Sequence, residues 1–228
     1  EEHKEDLLIY QDDIFNNANL FGRHLDLNME IYRALVNAGL KIKPSKYHAN
    51  YRQMKVVGHV MTRTGRYSDP ELVRAIKELG NPTDQGQVRS LIGLALVARE
   101  YVHQLAEILA PLQDLVRKGV DVKATWSEDT HGAALRSLKT ILTSRPVLLN
   151  IDLTKPFRVH VDACRRGRGI GAVLLQQAED EGGRWQPVAY WSLKLTDAER
   201  QYSATDLECK AMHDAILHWA VYLQSSSS

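Results

Sequence analysis

Two aspartates, Asp12 and Asp13, follow Tyr10 and Gln11 inside the apolar run LLIYQDDIF, residues 7–15, which reads as strand, tight turn, strand. Adjacent carboxylates at a hairpin tip present hard oxygen donors at one point, and metal-assisted phosphoryl chemistry needs divalent cations gathered in that way. An ordinary solvated turn is the competing reading, because Asp suits turns for its own reasons. Asp162 ends the alternating stretch KPFRVHVDA, in which Phe157, Val159 and Val161 point one way and Arg158, His160 and Asp162 the other. It either presents a carboxylate at a strand end or caps the turn made by RRGRG. Glu208 lies near the start of a long helical stretch from about Thr205 to Leu223. Thr205-x-x-Glu208 matches a capping box, in which the glutamate only satisfies a backbone donor. Glu208 also shares a helical stripe with Met212, Ala215 and Trp219, which turns it toward the core face. On that reading Asp162 and Glu208 face each other.

A second chemical signal is cationic. Residues 41–66 contain Lys41, Lys43, Lys46, Arg52, Lys55, Arg63 and Arg66 with no acidic residue, interleaved with Tyr47, Tyr51 and two histidines. Most charge runs are solvated faces. Seven positive charges with tyrosines between them nevertheless match the electrostatic and stacking footprint of a nucleic-acid track. The total charge conceals this run, since 29 Lys and Arg against 28 Asp and Glu leave a formal +1. With 228 residues, 44% of them hydrophobic, the chain has the length and composition for one or two cored domains. No apolar run approaches the length of a membrane span, and EEHKED at the N-terminus lacks the features of a signal peptide, so an intracellular protein without membrane contact is expected. Two cysteines, Cys164 and Cys209, support neither a disulfide framework nor a structural zinc site.

The elements that must position these groups are legible in outline. Leu25, Met29, Tyr32 and Val36 recur at helical spacing before Gly39, which predicts a half-buried helix. Ser68 or Asp69 caps a short helix with Pro70 in its first turn and Leu72, Ile76 and Leu79 on one face. Asp84 caps the next, with Val88, Leu91 and Ala95 in its stripe; Ile108, Leu112 and Leu115 mark a third; Ser127 precedes a fourth carrying Leu135, Leu138 and Leu142. The period then changes to alternation, with GIGAVLLQQ (169–177) and PVAYWS (187–192) as two further strands of a meander. The fold class is α+β. The chain closes on four serines.

The order of these motifs resembles the Pol polyprotein of gypsy-class LTR retrotransposons, from the late palm of reverse transcriptase into RNase H. YQDD is similar to the polymerase YxDD box, KVVGHVMTRTG (55–65) to the strand pair after the palm helix, and RSLIGLALVAREYV (89–102) to the thumb signature. KPFRVHVDA, GIGAVLLQQ and PVAYWSLKLTDAERQYSATDLECKAM are similar to the opening of the family's RNase H domain. The resemblance implies a partial palm over 1–66, a helical thumb and connector over 67–150, an incomplete RNase H-like mixed sheet with a long helix over 151–224, and a serine tail over 225–228. It implies that Asp12, Asp13, Asp162 and Glu208 are magnesium-binding catalytic carboxylates in two two-metal centres. It implies that Tyr10 packs near the incoming nucleotide, and that template–primer or an RNA–DNA hybrid is the partner, with Tyr10, Lys41, Lys43, Lys46, Arg52 and Lys55 as contacts. The family's polymerase site takes a further aspartate from upstream, and its nuclease site another from a strand after the long helix. Neither occurs between residues 1 and 228, so weak or absent magnesium binding and no activity of this polypeptide alone are expected, other Pol segments being candidate partners. The alternative is a captured nucleic-acid-binding or protein-interaction module without catalysis. Asn16, Asn17, Cys164 and Lys210 depart from the family pattern, and a buried polar group without a partner costs about 1 to 3 kcal/mol.

Overall fold

Gln11, with a left-handed backbone (φ 54°), reverses the chain between strand β1 (Leu7–Tyr10) and strand β2 (Asp13–Asn16). Tyr10 pairs with Asp13, so the expected hairpin forms and Gln11 and Asp12 make its tip. The computed structural model describes residues 7–225 except 17, 19, 50, 145–146, 165–168 and 179–181; the side chains of Tyr10 and Cys164 also lie outside the described set. Helix α1 (Phe21–Asn37) follows and ends before Gly39, whose φ of 73° terminates it. Its buried residue is Leu27, whereas Leu25, Met29 and Val36 are exposed. The half-buried stripe expected at those three positions is therefore open, because the hairpin alone is too small to cover it. Asn16 donates from Nδ2 to Asn28 Oδ1 at 2.8 Å, so this polar residue has a partner on α1. Residues 1–51 form one compact unit and 52–228 another.

The second unit begins with an antiparallel meander, β3 (Gln53–Val56), β4 (His59–Thr62) and β5 (Gly65–Ser68). Strand β6 (Leu148–Leu149) completes this sheet by pairing with β5. The strands from 53 to 66 thus pack with the helical unit rather than with the hairpin. Asp69 accepts from the Glu71 amide and caps α2 (Pro70–Glu78); Asp84 accepts from the Gln87 amide and caps α3 (Gln85–Val97). Helices α4 (Leu105–Asp114), α5 (Val122–Thr125) and α6 (Ala133–Thr143) complete the helical part. Ile76, Val88, Leu91, Leu109, Leu112 and Leu138 form its core. Before α6 the chain makes a π-type turn over Glu128–Gly132, where the Ser127 amide donates to His131 Nδ1 at 2.9 Å. The Ser127 side chain itself makes no cap hydrogen bond.

Strands β7 (Arg158–Cys164), β8 (Gly169–Gln177) and β9 (Trp185–Lys194) form a second antiparallel sheet in the order β7-β8-β9. Helices α7 (Ala204–His218) and α8 (Ala220–Ser225) follow. Leu207, Ala211, Ala215 and Trp219 pack onto the sheet through Val159, Val161, Ala172 and Leu174. α4 covers the opposite face, against β8 and β9. Among the described residues no helix is long and apolar enough to cross a membrane.

Candidate active-site carboxylates and their surroundings

In the hairpin, Asp12 and Asp13 are exposed, and neither has a hydrogen bond or ion pair among the described residues. Their oxygens are hard donors at adjacent positions, which suits a divalent cation that keeps several waters. Tyr32 packs on Tyr47 with ring centroids 5.5 Å apart, and the hydrogen bond between the two phenols, helped by burial, pushes the Tyr32 hydroxyl up to about 12. This contact anchors the segment carrying Lys43 and Lys46 to α1. Lys41, Lys43 and Lys46 are exposed.

The rest of the cationic run divides by function. Arg52 and Arg63 are exposed. Lys55 lies 2.5 Å from Asp69 and 2.9 Å from Glu71, and hydrogen bonds to these two carboxylates raise its pKa. Burial pushes Asp69 upward, but Lys55 and the Glu71 amide outweigh it and leave this carboxyl below its ordinary range. Arg66 is 9% exposed and donates to the Val188 carbonyl at 2.8 Å and the Leu149 carbonyl at 3.1 Å, with Glu100 at 3.4 Å. Arg66 is thus an internal tie between the two sheets. The outward cationic surface is shorter than the sequence run.

Asp162 sits where two conditions meet. Phe157, Val159, Val161 and Ala163 take the face of β7 that packs under α7, so Asp162 projects from the other face. There Gln104 Nε2 donates to Asp162 Oδ2. Gln104 itself adopts a left-handed backbone (φ 53°) at the N-cap of α4, an uncommon conformation for a residue with a side chain. The Ala106 amide, at the first turn of the same helix, donates to Ser192 Oγ at 2.9 Å, and Lys194 reaches Asp114 at 3.2 Å. Gly169 and Gly171 of β8 lie against this part of α4: a Cβ on Gly171 would meet Gln104 Cγ, and one on Gly169 the Glu107 nitrogen, each at 3.7 Å, an ordinary contact distance. The recess left between Asp162, Gln104, Glu107 and Ser192 has a volume of about 10 Å³, close to the size of one water.

Glu208 does not join Asp162. Ala215 and Trp219 of the expected stripe are buried, but in the first half of α7 Leu207 and Ala211 take the buried positions while Glu208 and Met212 are exposed. The capping box also lies elsewhere, since Ser203 Oγ accepts from the Asp206 amide and Asp206 accepts from the Ser203 amide. Glu208 is therefore free of the cap, on the α7 side of the sheet from which Asp162 points away. Among the described residues no group of three or more His, Cys, Asp or Glu is arranged to hold a metal ion, at the hairpin or at the sheet. The hard oxygens of Asp12 and Asp13 suit magnesium and have no partner among the described residues, whereas one oxygen of Asp162 is engaged by Gln104. Gln104 and Ser192 have no signature in the sequence; their roles depend on a helix that packs from 50 to 90 residues away.

Residues 126–228 match the RNase H-like domain found in reverse transcriptase. The whole chain is similar to polyproteins of Schizosaccharomyces pombe transposons: it is 28% identical to the Tf2-3 polyprotein over 220 residues and 27% identical to the Tf2-7 polyprotein over the same length. These alignments take in 96% of this chain and 16% of each relative, so the chain spans a small part of the polyproteins it matches. Among solved structures, a foamy viral protease-reverse transcriptase in complex with double-stranded DNA superposes with a TM-score of 0.82 over 95% of this chain and 37% of that one, at 23% identity. A foamy viral protease-reverse transcriptase in complex with RNA/DNA hybrid gives 0.81 over 97% and 29%, again at 23% identity. The fold is shared with these reverse transcriptases through nearly the whole chain.

Proposed function

We propose that this chain is a segment of a gypsy-class retroelement Pol protein, with the C-terminal part of its palm over 1–66, thumb and connector over 67–150 and a partial RNase H-like unit over 151–224. In this reading its hairpin serves strand synthesis, while its RNase H-like sheet acts as a brace rather than a nuclease. The observation that carries the second half is the Gln104–Asp162 hydrogen bond at the N-cap of α4. Asp162 is exposed, but one of its oxygens is already engaged in tying the start of that helix to the sheet.

Asp12 and Asp13 would hold magnesium, which when bound supplies charge neutralisation at a transferring phosphate. The chain's own contribution is to fix both carboxylates on a two-strand hairpin and to keep them clear of internal partners. Lys41, Lys43, Lys46 and Arg52 would then meet a template–primer or RNA–DNA hybrid through backbone phosphates, an interaction that weakens with added salt because counterion release then yields less free energy. Two carboxylates alone hold a metal pair loosely, so the polypeptide by itself is expected to bind without turnover, and other Pol segments are its natural partners.

The test is a pair of assays on the full chain. Fluorescence anisotropy with an RNA–DNA hybrid should give an affinity that falls steeply with salt, and charge reversal of Lys43, Lys46 and Arg52 should flatten that slope by about one unit for each phosphate no longer neutralised. Incubation of the same hybrid with magnesium should leave its RNA strand uncut. Cleavage that disappears in Asp162→Asn would overturn the bracing role, and absence of binding at low salt would overturn the nucleic-acid reading.

A further inference from the structure

A cavity of about 270 Å³ opens between β5, α2 and the C-terminal end of α6, and none of Asp12, Asp13, Asp162 and Glu208 lines it. Its floor is apolar and partly aromatic, from Tyr67, Val73 and Leu142. Its rim carries Arg74 and Lys77, three positions apart on α2 and so on one face of the helix. Neither has a hydrogen bond or ion pair among the described residues, in contrast to Lys55 nearby, which two carboxylates neutralise. None of the residues lining the cavity is acidic. Ser68 also lines it and is 5% exposed.

We infer that this cavity is a binding site for a single nucleotide unit, with its phosphate on Arg74 and Lys77 and its base against Tyr67, Val73 and Leu142. Three features select that chemistry. Two cations on the rim of a lining that holds no acid favour a dianionic group over a carboxylate, and Arg supplies a planar fork for phosphate oxygens. An apolar floor with one aromatic ring suits a flat heterocycle. The volume lies near the lower end of small-molecule pockets, enough for one nucleotide and too little for a duplex. The unit arrives either as a free mononucleotide or as one residue of a single strand. The inference does not rely on the hairpin carboxylates or on Lys41 to Arg52.

The experiment is calorimetric titration of the full chain with adenosine monophosphate, adenosine and inorganic phosphate, followed by a fluorescent ten-residue oligothymidylate. Adenosine monophosphate should bind at least tenfold more tightly than adenosine or phosphate. The double variant Arg74→Ala/Lys77→Ala, whose positions are exposed and whose melt should be unchanged, should lose at least tenfold. Reversal of Lys43 and Lys46 should leave monophosphate binding intact, which separates this site from the proposed template contact. If the oligomer binds more tightly than the monophosphate and loses that advantage in the double variant, the unit comes from a strand. If only the monophosphate responds to the double variant, it comes free. No detectable monophosphate binding, or binding equal in wild type and double variant, overturns the inference.

Discussion

The hairpin of residues 7–16 and the sheet of residues 158–194 each carry exposed acidic residues expected above to serve phosphoryl transfer, yet they treat them differently. At the hairpin, nothing among the described residues bonds Asp12 or Asp13. In the sheet, Gln104 at the N-cap of α4 bonds Asp162, and the first turn of that helix bonds Ser192 on β9. Local sequence is similar in kind at the two places. What differs is whether a distant element arrives to use the carboxylate, and this decides between a free donor pair and a structural tie.

Variants can break this contrast from either side. The largest effect is expected at Trp219→Ala, because Trp219 is 2% exposed and seals the α7 side of the sheet; a loss of about 4 kcal/mol in urea unfolding should fall on the second unit while amide protection in α1 persists. Lys210→Ala comes next. Lys210 lies 3.1 Å from Glu199 and 2.8 Å from Asp214, all three at most 24% exposed, and its removal should cost about 1.5 kcal/mol at neutral pH. Glu199 is held below its ordinary pKa first by the Thr196 amide; Asp214 is raised by burial but brought lower overall by Lys210 and His213. Their stabilisation is present above ordinary carboxylate pKa values and is lost as pH falls through the depressed ones, so the wild-type advantage should shrink in acid melts.

Asp162→Ala should cost about 1 kcal/mol, Gln104→Ala a similar amount, and the double variant little more than either, since the two share one hydrogen bond. Additive losses would show that the clasp is not a unit. A smaller slope is expected between neutral and mildly acid pH. Burial lowers the pKa of His59, whose Nδ1 lies 2.7 Å from Tyr101 Oη, and also that of His218. The unfolded chain therefore takes up these protons first as pH falls through about 6.5, and stability declines there; His59→Gln should reduce the slope. Smallest of all, Asp12→Asn and Asp13→Asn should each change stability by less than about 0.5 kcal/mol, a null result that distinguishes free donors from a tie.

What could be read in advance was local. The Gln11–Asp12 turn, the caps at Asp69 and Asp84, and the apolar stripe of α3 follow from neighbouring residues, and the structure has all of them. The expected meander and long terminal helix also form, because alternation and helical spacing are short-range signals. Other features were decided at a distance. Two overlapping capping patterns start α7, and Ser203 with Asp206 won over Thr205 with Glu208; which side of the helix's first turns is buried was decided by the sheet, which takes Leu207 and Ala211 rather than Glu208 and Met212. Lys55 and Arg66 left the cationic run because Asp69, Glu71, Glu100 and two backbone carbonyls reach them from other elements. Lys210, an odd residue by family pattern, found two carboxylates. The direction in which Asp162 points follows from alternation, but its capture depends on α4, which no residue near Asp162 encodes.

The contrast between the two acidic sites is tested most directly by manganese titration of the full chain, followed by paramagnetic broadening of backbone amide resonances. Broadening should centre on residues 11–14 and spare Val161, Asp162 and Gly171, along with the first turn of α7. Equal or stronger broadening around Asp162 and Glu208 would mean that the sheet carboxylate is available to metal, and the bracing role assigned to it would be wrong.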